Sequence, residues 1–171
     1  MTATRFILGA VAAMVLASIA ACQPTRYKNQ LPASTEGLAT PAKNGARIYF
    51  TGASERGTAA TIEDGANPGG GMMGGYRQWL TCAACHGPEA RGGKHEMHMS
   101  VMDAPDIRYA ALRTMSELKG RQRPYDLDDF RQQVEQGRHP DGAQVKQEMP
   151  RWQMSEADLA DLFAFLKSQP E

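Results

Sequence analysis

The stretch "TCAACHGPEARGG", Thr81 to Gly93, sets the problem. Two cysteines, Cys82 and Cys85, stand two residues apart, and His86 follows directly. A Cys-x-x-Cys pair alone can be half of a zinc site, a redox dithiol or a disulfide. The histidine adds a third ligand-grade group to the same turn. The chain holds three cysteines in all, so Cys22 needs its own account.

Cys22 ends "FILGAVAAMVLASIAAC", an apolar run behind Arg5. The run is short for a membrane span, which takes about 20 residues. A positive start, an apolar centre and small residues before a cut read as a secretory signal over residues 1–21. Its end, Ile19-Ala20-Ala21-Cys22, resembles the lipobox of bacterial lipoproteins. That resemblance implies a lipid on Cys22 and a membrane anchor, with ordinary cleavage after Ala20 as the alternative. Gln23 resembles the sorting residue of outer-membrane lipoproteins, which makes the outer membrane, facing the periplasm, one destination. Residues 22–41 are polar, proline-bearing and aperiodic, and read as a tether. A flexible chain of that length spans about 25 Å.

With Cys22 set aside, Cys82, Cys85 and His86 match the attachment pattern of c-type haem. Two thiols on one turn can each form a thioether to a vinyl group of one haem, and the next imidazole can ligate the iron. Covalent haem attachment also suits an exported chain. The rivals are weaker in the sequence. Zinc needs four ligands, and only His95 and His98 could complete the set. A thioredoxin-like dithiol wants a βαβ pattern, which is not visible. A plain disulfide between Cys82 and Cys85 stays open.

A sixth ligand closes the iron or leaves it open to small molecules. Methionine closes it and raises the potential, which suits electron transfer. Met149 is the candidate, in "GRHPDGAQVKQEMPRW", a stretch broken by Gly137, Pro140 and Gly142. Pro150 stiffens the backbone beside it. A core methionine is the ordinary alternative. His139 and His98 are the next candidates for the iron.

Taken together, "CAACHG", "APDIR", "MPRW" and "SEADLADLFAFLKS" resemble class I cytochromes c over roughly Ala42 to Ser168. The resemblance implies an all-α fold wrapped around one covalent haem c. It implies that the Pro105 carbonyl accepts a hydrogen bond from the imidazole of His86. It also implies that Gly45 and Tyr49 lie where the first helix crosses the last, with Phe163 as the aromatic opposite. Trp152 falls near a haem edge or in the core.

The helices can be read from the residues alone. Ser155 caps a helix, with Leu159, Leu162, Phe163 and Leu166 on one stripe and Pro170 as its stop. Glu156 and Asp158 in its first turn and Lys167 in its last match the helix dipole. Asp126 caps a second helix over 127–136, ended by Gly137. Further helices are expected over 107–119 and 42–50. No strand pattern is convincing.

Two features depart from the family pattern. A glycine-rich insert at about 51–78, containing Gly-Met-Met-Gly-Gly, separates the first helix from the haem motif within the 42–171 domain. The second is "HEMHMSVMD". His95, Met97, His98, Met99 and Met102 carry imidazole and thioether groups that suit copper(I). If this stretch is helical, His95 faces Met99 and His98 faces Met102; a packed loop beside the haem is the plainer reading.

Lys and Arg number 19 and so do Asp and Glu, with no basic footprint for nucleic acid. These readings converge on a single-electron carrier of a bacterial envelope respiratory chain, not an enzyme. Its partners would be redox proteins of the envelope and, through Cys22, a membrane. The alternatives are a haem subunit of an oxidoreductase complex, a peroxidase-like enzyme, and a gas-binding or sensing protein with an open iron site.

Overall fold

The computed structural model describes residues 31–63, 80–97, 100–118 and 123–171. The expected signal segment, Cys22, most of the expected tether, residues 64–79 with the rest of the insert, and His98 and Met99 lie outside the described residues, as do the side chains of His95 and Met97.

Helix α1 spans Thr40–Thr51, a little longer than its apolar face predicts. Gly52 ends it in the left-handed region, φ 71°, and its N–H bonds the Ile48 carbonyl at 2.8 Å. Helix α2, Cys82–His86, is one short turn capped by the Thr81 hydroxyl. Strands β2 (Gly93–Met97) and β3 (Ser100–Ala104) form an antiparallel hairpin. Helix α3 covers Tyr109–Leu118. It starts later than the apolar pattern suggests, because Asp106 turns the chain first and accepts from the Arg108 N–H at 2.9 Å. Helix α4, Leu127–Arg131, begins at a reciprocal capping box of Asp126 and Asp129. A wider π-type turn continues it over Gln132–Gln136, and Gly137 at φ 65° stops it. Helix α5 is Glu156–Ser168, with Ser155 as the cap accepting from the Asp158 N–H at 3.1 Å.

The core sits where α1 crosses α5. Ile48, Tyr49, Leu159, Leu162, Phe165 and Leu166 are all essentially buried. Each such side chain contributes about 1.5–3 kcal/mol of burial. The crossing is close enough that a Cβ on Gly45 would stand 1.9 Å from the Asp161 carbonyl oxygen. Only glycine fits there, as the resemblance implies. The aromatic opposite Tyr49 is Phe165, with ring centroids 5.1 Å apart, and not Phe163. Phe163 lies on another face of α5 and stacks on Phe130 at 5.3 Å. The α5 stripe is wider than one row of leucines suggests, since the helix is apolar on more than one side.

The helical expectation holds, with two small sheets added to it. Strand β1 (Thr61–Ile62) pairs with β4 (Trp152–Gln153). Two-residue strands carry no period to read. The hairpin replaces the helical turn considered for residues 95–102. Its register sets the His95 backbone opposite Met102, so the helical spacings that joined His95 to Met99 and His98 to Met102 do not apply.

Residues 51–63, the start of the insert, are fastened to the α1–α5 crossing. Asp158, 2% exposed, accepts from Ser54 (2.6 Å), Arg56 (2.9 Å), Ser155 (2.8 Å) and Thr58. Asp161 accepts from Asn44 (2.8 Å) and Arg56 (2.6 Å). Burial opposes ionisation of Asp158, but the hydrogen bonds from Ser54, Thr58, Ser155 and Arg56 outweigh it and hold the carboxyl at about 2.

Candidate functional site

Thr81 enters α2 in extended conformation and its hydroxyl accepts the Ala84 N–H at 3.3 Å. This single turn carries both thiols and the imidazole. Gly87, at φ 73°, then swings the chain away from it. The Tyr49 hydroxyl donates to the Gly87 carbonyl at 2.6 Å and ties the turn to α1. Burial, followed by the neighbouring Cys82 and Cys85 thiols, pushes the Tyr49 hydroxyl well above the usual phenol range, so it remains a donor.

His86 is 6% exposed, and its Nδ1 lies 2.9 Å from the Pro105 carbonyl oxygen. A carbonyl only accepts, so Nδ1 carries the proton and Nε2 of the neutral ring carries the lone pair. The proline reaches this position because Gly92 lies against it. A Cβ on Gly92 would be 2.2 Å from the Ala104 oxygen and 2.5 Å from the Pro105 oxygen. Two backbone bonds complete the alignment, Gly92 N–H to His86 O and Ile107 N–H to Ala90 O, both 2.9 Å.

Cys82, Cys85 and His86 open onto a cavity of about 690 Å³. Cofactor pockets run about 300–1,000 Å³. Tyr49, Leu112, Phe130, Trp152, Leu162 and Leu166 supply apolar wall. Trp152 is buried in the core and also lines this cavity. Met149 lines the same cavity, as do Met102, Met115 and His139. The two thiols are unbridged, and burial pushes Cys82 up to about 12 and raises Cys85. A largely apolar wall, two protonated thiols on one turn, an imidazole whose Nδ1 is committed to a carbonyl, and a thioether fit a haem group.

Met149 sits in a loop whose bonds are local. Its N–H bonds the Lys146 carbonyl at 3.2 Å, and the Val145 N–H bonds Gly137 at 2.8 Å. Arg151 reaches back over this loop. Its Nη1 donates to the Met149 carbonyl and its Nη2 to the Val145 carbonyl at 3.2 Å. The Arg151 carbonyl in turn accepts from the Glu63 N–H at 2.9 Å, beside the β1–β4 pair.

Of the residues considered for copper, Met102 lines the large cavity, and the side chains of His95, Met97, His98 and Met99 lie outside the described residues. Among the described residues no group of three or more His, Cys, Asp or Glu could hold a metal ion. The zinc alternative rests on the same undescribed histidine side chains. Among the described residues no helix is long and apolar enough to cross a membrane.

Gly92, the Tyr49–Gly87 bond, Arg151 and the Asp158 cluster were not singled out by sequence reasoning. The doubled glycine after Arg91 was the one visible signal, since close backbone approach calls for glycine. The other contacts join residues far apart in the chain.

No curated protein and no solved structure matches the chain. The family model described as Cytochrome c matches residues 42–170, most of the chain and all of the region that builds the cavity. Proteins of this kind carry covalently bound haem c, and their work is haem-based electron transfer. With its thiols, fixed imidazole and apolar cavity inside that matched span, the chain belongs to the cytochrome c family.

Proposed function

We propose that the chain is a one-electron carrier of a bacterial envelope respiratory chain and not itself an enzyme. In this reading Cys82 and Cys85 form the thioethers to one haem c, and His86 and Met149 ligate its iron. Haem, when bound, supplies an iron that gains and loses one electron. The carrying observation is the 2.9 Å contact of His86 Nδ1 with the Pro105 carbonyl, in the cavity that Cys82, Cys85 and Met149 also line. That contact orients the ring and leaves Nε2 as the ligand atom. Cys82 and Cys85, whose thiols burial keeps protonated, would hold the group as thioethers, and adding a thiol to a vinyl group would consume no oxidant. The apolar walls exclude water, which favours the less charged, reduced state. Met149 would hold the iron from the cavity wall and would leave no ligand place for substrate or gas, which separates this reading from the peroxidase and sensor alternatives. The haem subunit of a larger oxidoreductase remains a variant of the same electron-carrying role.

Lipid on Cys22 would hold the domain at a membrane outside the cytoplasm, within reach of fixed redox partners. The lipobox resemblance supports this part of the proposal, and mass spectrometry of the membrane-extracted amino terminus tests it.

The central test is an optical spectrum of holoprotein made with a working haem-maturation pathway. A low-spin spectrum with the weak far-red sulfur-to-iron band when oxidised is expected. Met149→Ala should abolish that band, give high-spin character and lower the potential. A colourless protein with both thiols open to alkylation rejects the haem assignment. An unchanged Met149→Ala spectrum moves the sixth ligand elsewhere.

A further inference from the structure

We propose that Arg151 is the positioning residue for the sixth ligand, clamping the loop that presents Met149 to iron. The inference rests on Met149 being that ligand. A thioether is a neutral, weak ligand, so its hold on the metal depends on how well the loop presents it. In the segment from Gly137 to Met149 the internal hydrogen bonds gather between Gly137 and Val145, and the stretch that ends at Met149 has one backbone bond of its own, Met149 N–H to the Lys146 carbonyl at 3.2 Å. Pro150 fixes only the residue that follows, so the presentation of Met149 needs a further hold.

Arg151 supplies the rigidity from outside the segment. Its backbone is anchored: the carbonyl accepts from Glu63, and the next residue, Trp152, is buried and paired with Ile62. From that base the guanidinium turns back on the loop. One nitrogen bonds the carbonyl of Met149 itself and a second bonds Val145. The group's third contact is Gly137. A Cβ there would fall 1.9 Å from Nε and 2.1 Å from Cζ, so the guanidinium lies directly on the glycine. One planar cation thus touches the beginning, the middle and the end of the loop. Two carbonyls held by one side chain call for a fork of N–H donors, which arginine has and lysine lacks. Gly137 carries two requirements at once, its left-handed φ of 65° and the space for the guanidinium.

Two glycines in the loop allow the clamp to be separated from backbone strain. Gly142 is also left-handed, at φ 85°, but a Cβ there meets nothing within 4 Å. The experiment measures imidazole affinity of the oxidised holoprotein, strength of the far-red band, and melting temperature. The parent is compared with Arg151→Lys, Arg151→Gln, Gly137→Ala, Gly142→Ala and Met149→Ala. Imidazole competes with Met149 for iron, so its apparent affinity rises as the clamp weakens. Arg151→Gln and Gly137→Ala should bind imidazole about tenfold more tightly than the parent, equivalent to about 1.4 kcal/mol of lost ligation. Both should show a weakened far-red band. Arg151→Lys keeps the charge and should still show the loss. Gly142→Ala should melt lower with imidazole affinity unchanged. If Arg151→Gln and Gly137→Ala stay within twofold of the parent for imidazole, and lose only melting temperature as Gly142→Ala does, the clamp is merely structural and the proposal falls. If Met149→Ala keeps the parent's band and imidazole affinity, the ligand assignment fails instead, whatever Arg151 does.

Discussion

Gly45→Ala is the sharpest test of how this domain is held together. The added Cβ would stand 1.9 Å from the Asp161 oxygen, 2.5 Å from its carbon and 2.9 Å from the Leu162 nitrogen. Ordinary contact begins at about 3.4 Å, so α1 and α5 must part by about 1.5 Å. The obstacle is helix backbone, which cannot swing aside as a side-chain tip can. A gap of 0.5–1 Å already forfeits about a quarter to a half of a dispersion contact. Here the loss spreads over Ile48, Tyr49, Leu162 and Phe165, all buried at the crossing. Overpacking of this kind costs about 3 kcal/mol or more. For a domain of this size each kcal/mol lowers the melting temperature by about 4 °C, giving a drop of about 12 °C. The assay is thermal unfolding of holoprotein followed by far-ultraviolet circular dichroism. Gly52→Ala is the comparison: its φ is also positive, at 71°, but a Cβ meets nothing within 4 Å. It should lose about 1 kcal/mol, or about 4 °C. A Gly45→Ala protein that melts with the parent, or no lower than Gly52→Ala, refutes the close-crossing argument.

Three further outcomes are expected. Asp158 is held at about 2 when folded against an ordinary 3.8, so its ionised form stabilises the fold by about 2 kcal/mol above pH 3.8. That stabilisation fades as pH falls from 3.8 through 2, and denaturant titrations of Asp158→Asn should be less stable at neutral pH and flatter across that window. Gly92→Ala would push its Cβ into the Pro105 carbonyl and weaken the bond to His86 Nδ1. A less basic imidazole holds oxidised iron less well, so potentiometry should read a higher potential, and an unchanged value would detach Gly92 from the site. Finally, Cys82→Ala with Cys85→Ala, expressed without haem, should lose near-ultraviolet dichroism and cooperative melting. Walls surrounding about 690 Å³ are too much apolar surface for so small a core to hold without its cofactor. A sharp, parent-like melt would overturn that.

Much of the chemistry was legible because it is local. Cys82, Cys85 and His86 occupy one turn, and the family model covers the span that contains them. Ser155 and Asp126 act as the caps their neighbours require, and Gly137 stops its helix in the left-handed region. What escaped was mostly non-local. Asp158 was read as a helix-start acid, but its main partners, Ser54, Arg56 and Thr58, lie about 100 residues upstream. Phe163 and Phe165 both sit on an apolar helix, and only the crossing angle decides which meets Tyr49. The β1–β4 pair is two residues long, below any readable alternation. The hairpin over 93–104 hides among methionines and charges, where neither helix nor strand period dominates.

The meeting of the first helix with the last has a consequence for biogenesis. Asn44 and Asp161 bond across 117 positions, and the residues between them include the whole haem motif. A nascent polypeptide therefore cannot mate these two surfaces until residues near Leu166 have left the ribosome. Until then the α1–α5 crossing cannot hold the Cys-x-x-Cys-His turn through Tyr49, so this long-range contact forms late in the order in which the chain emerges.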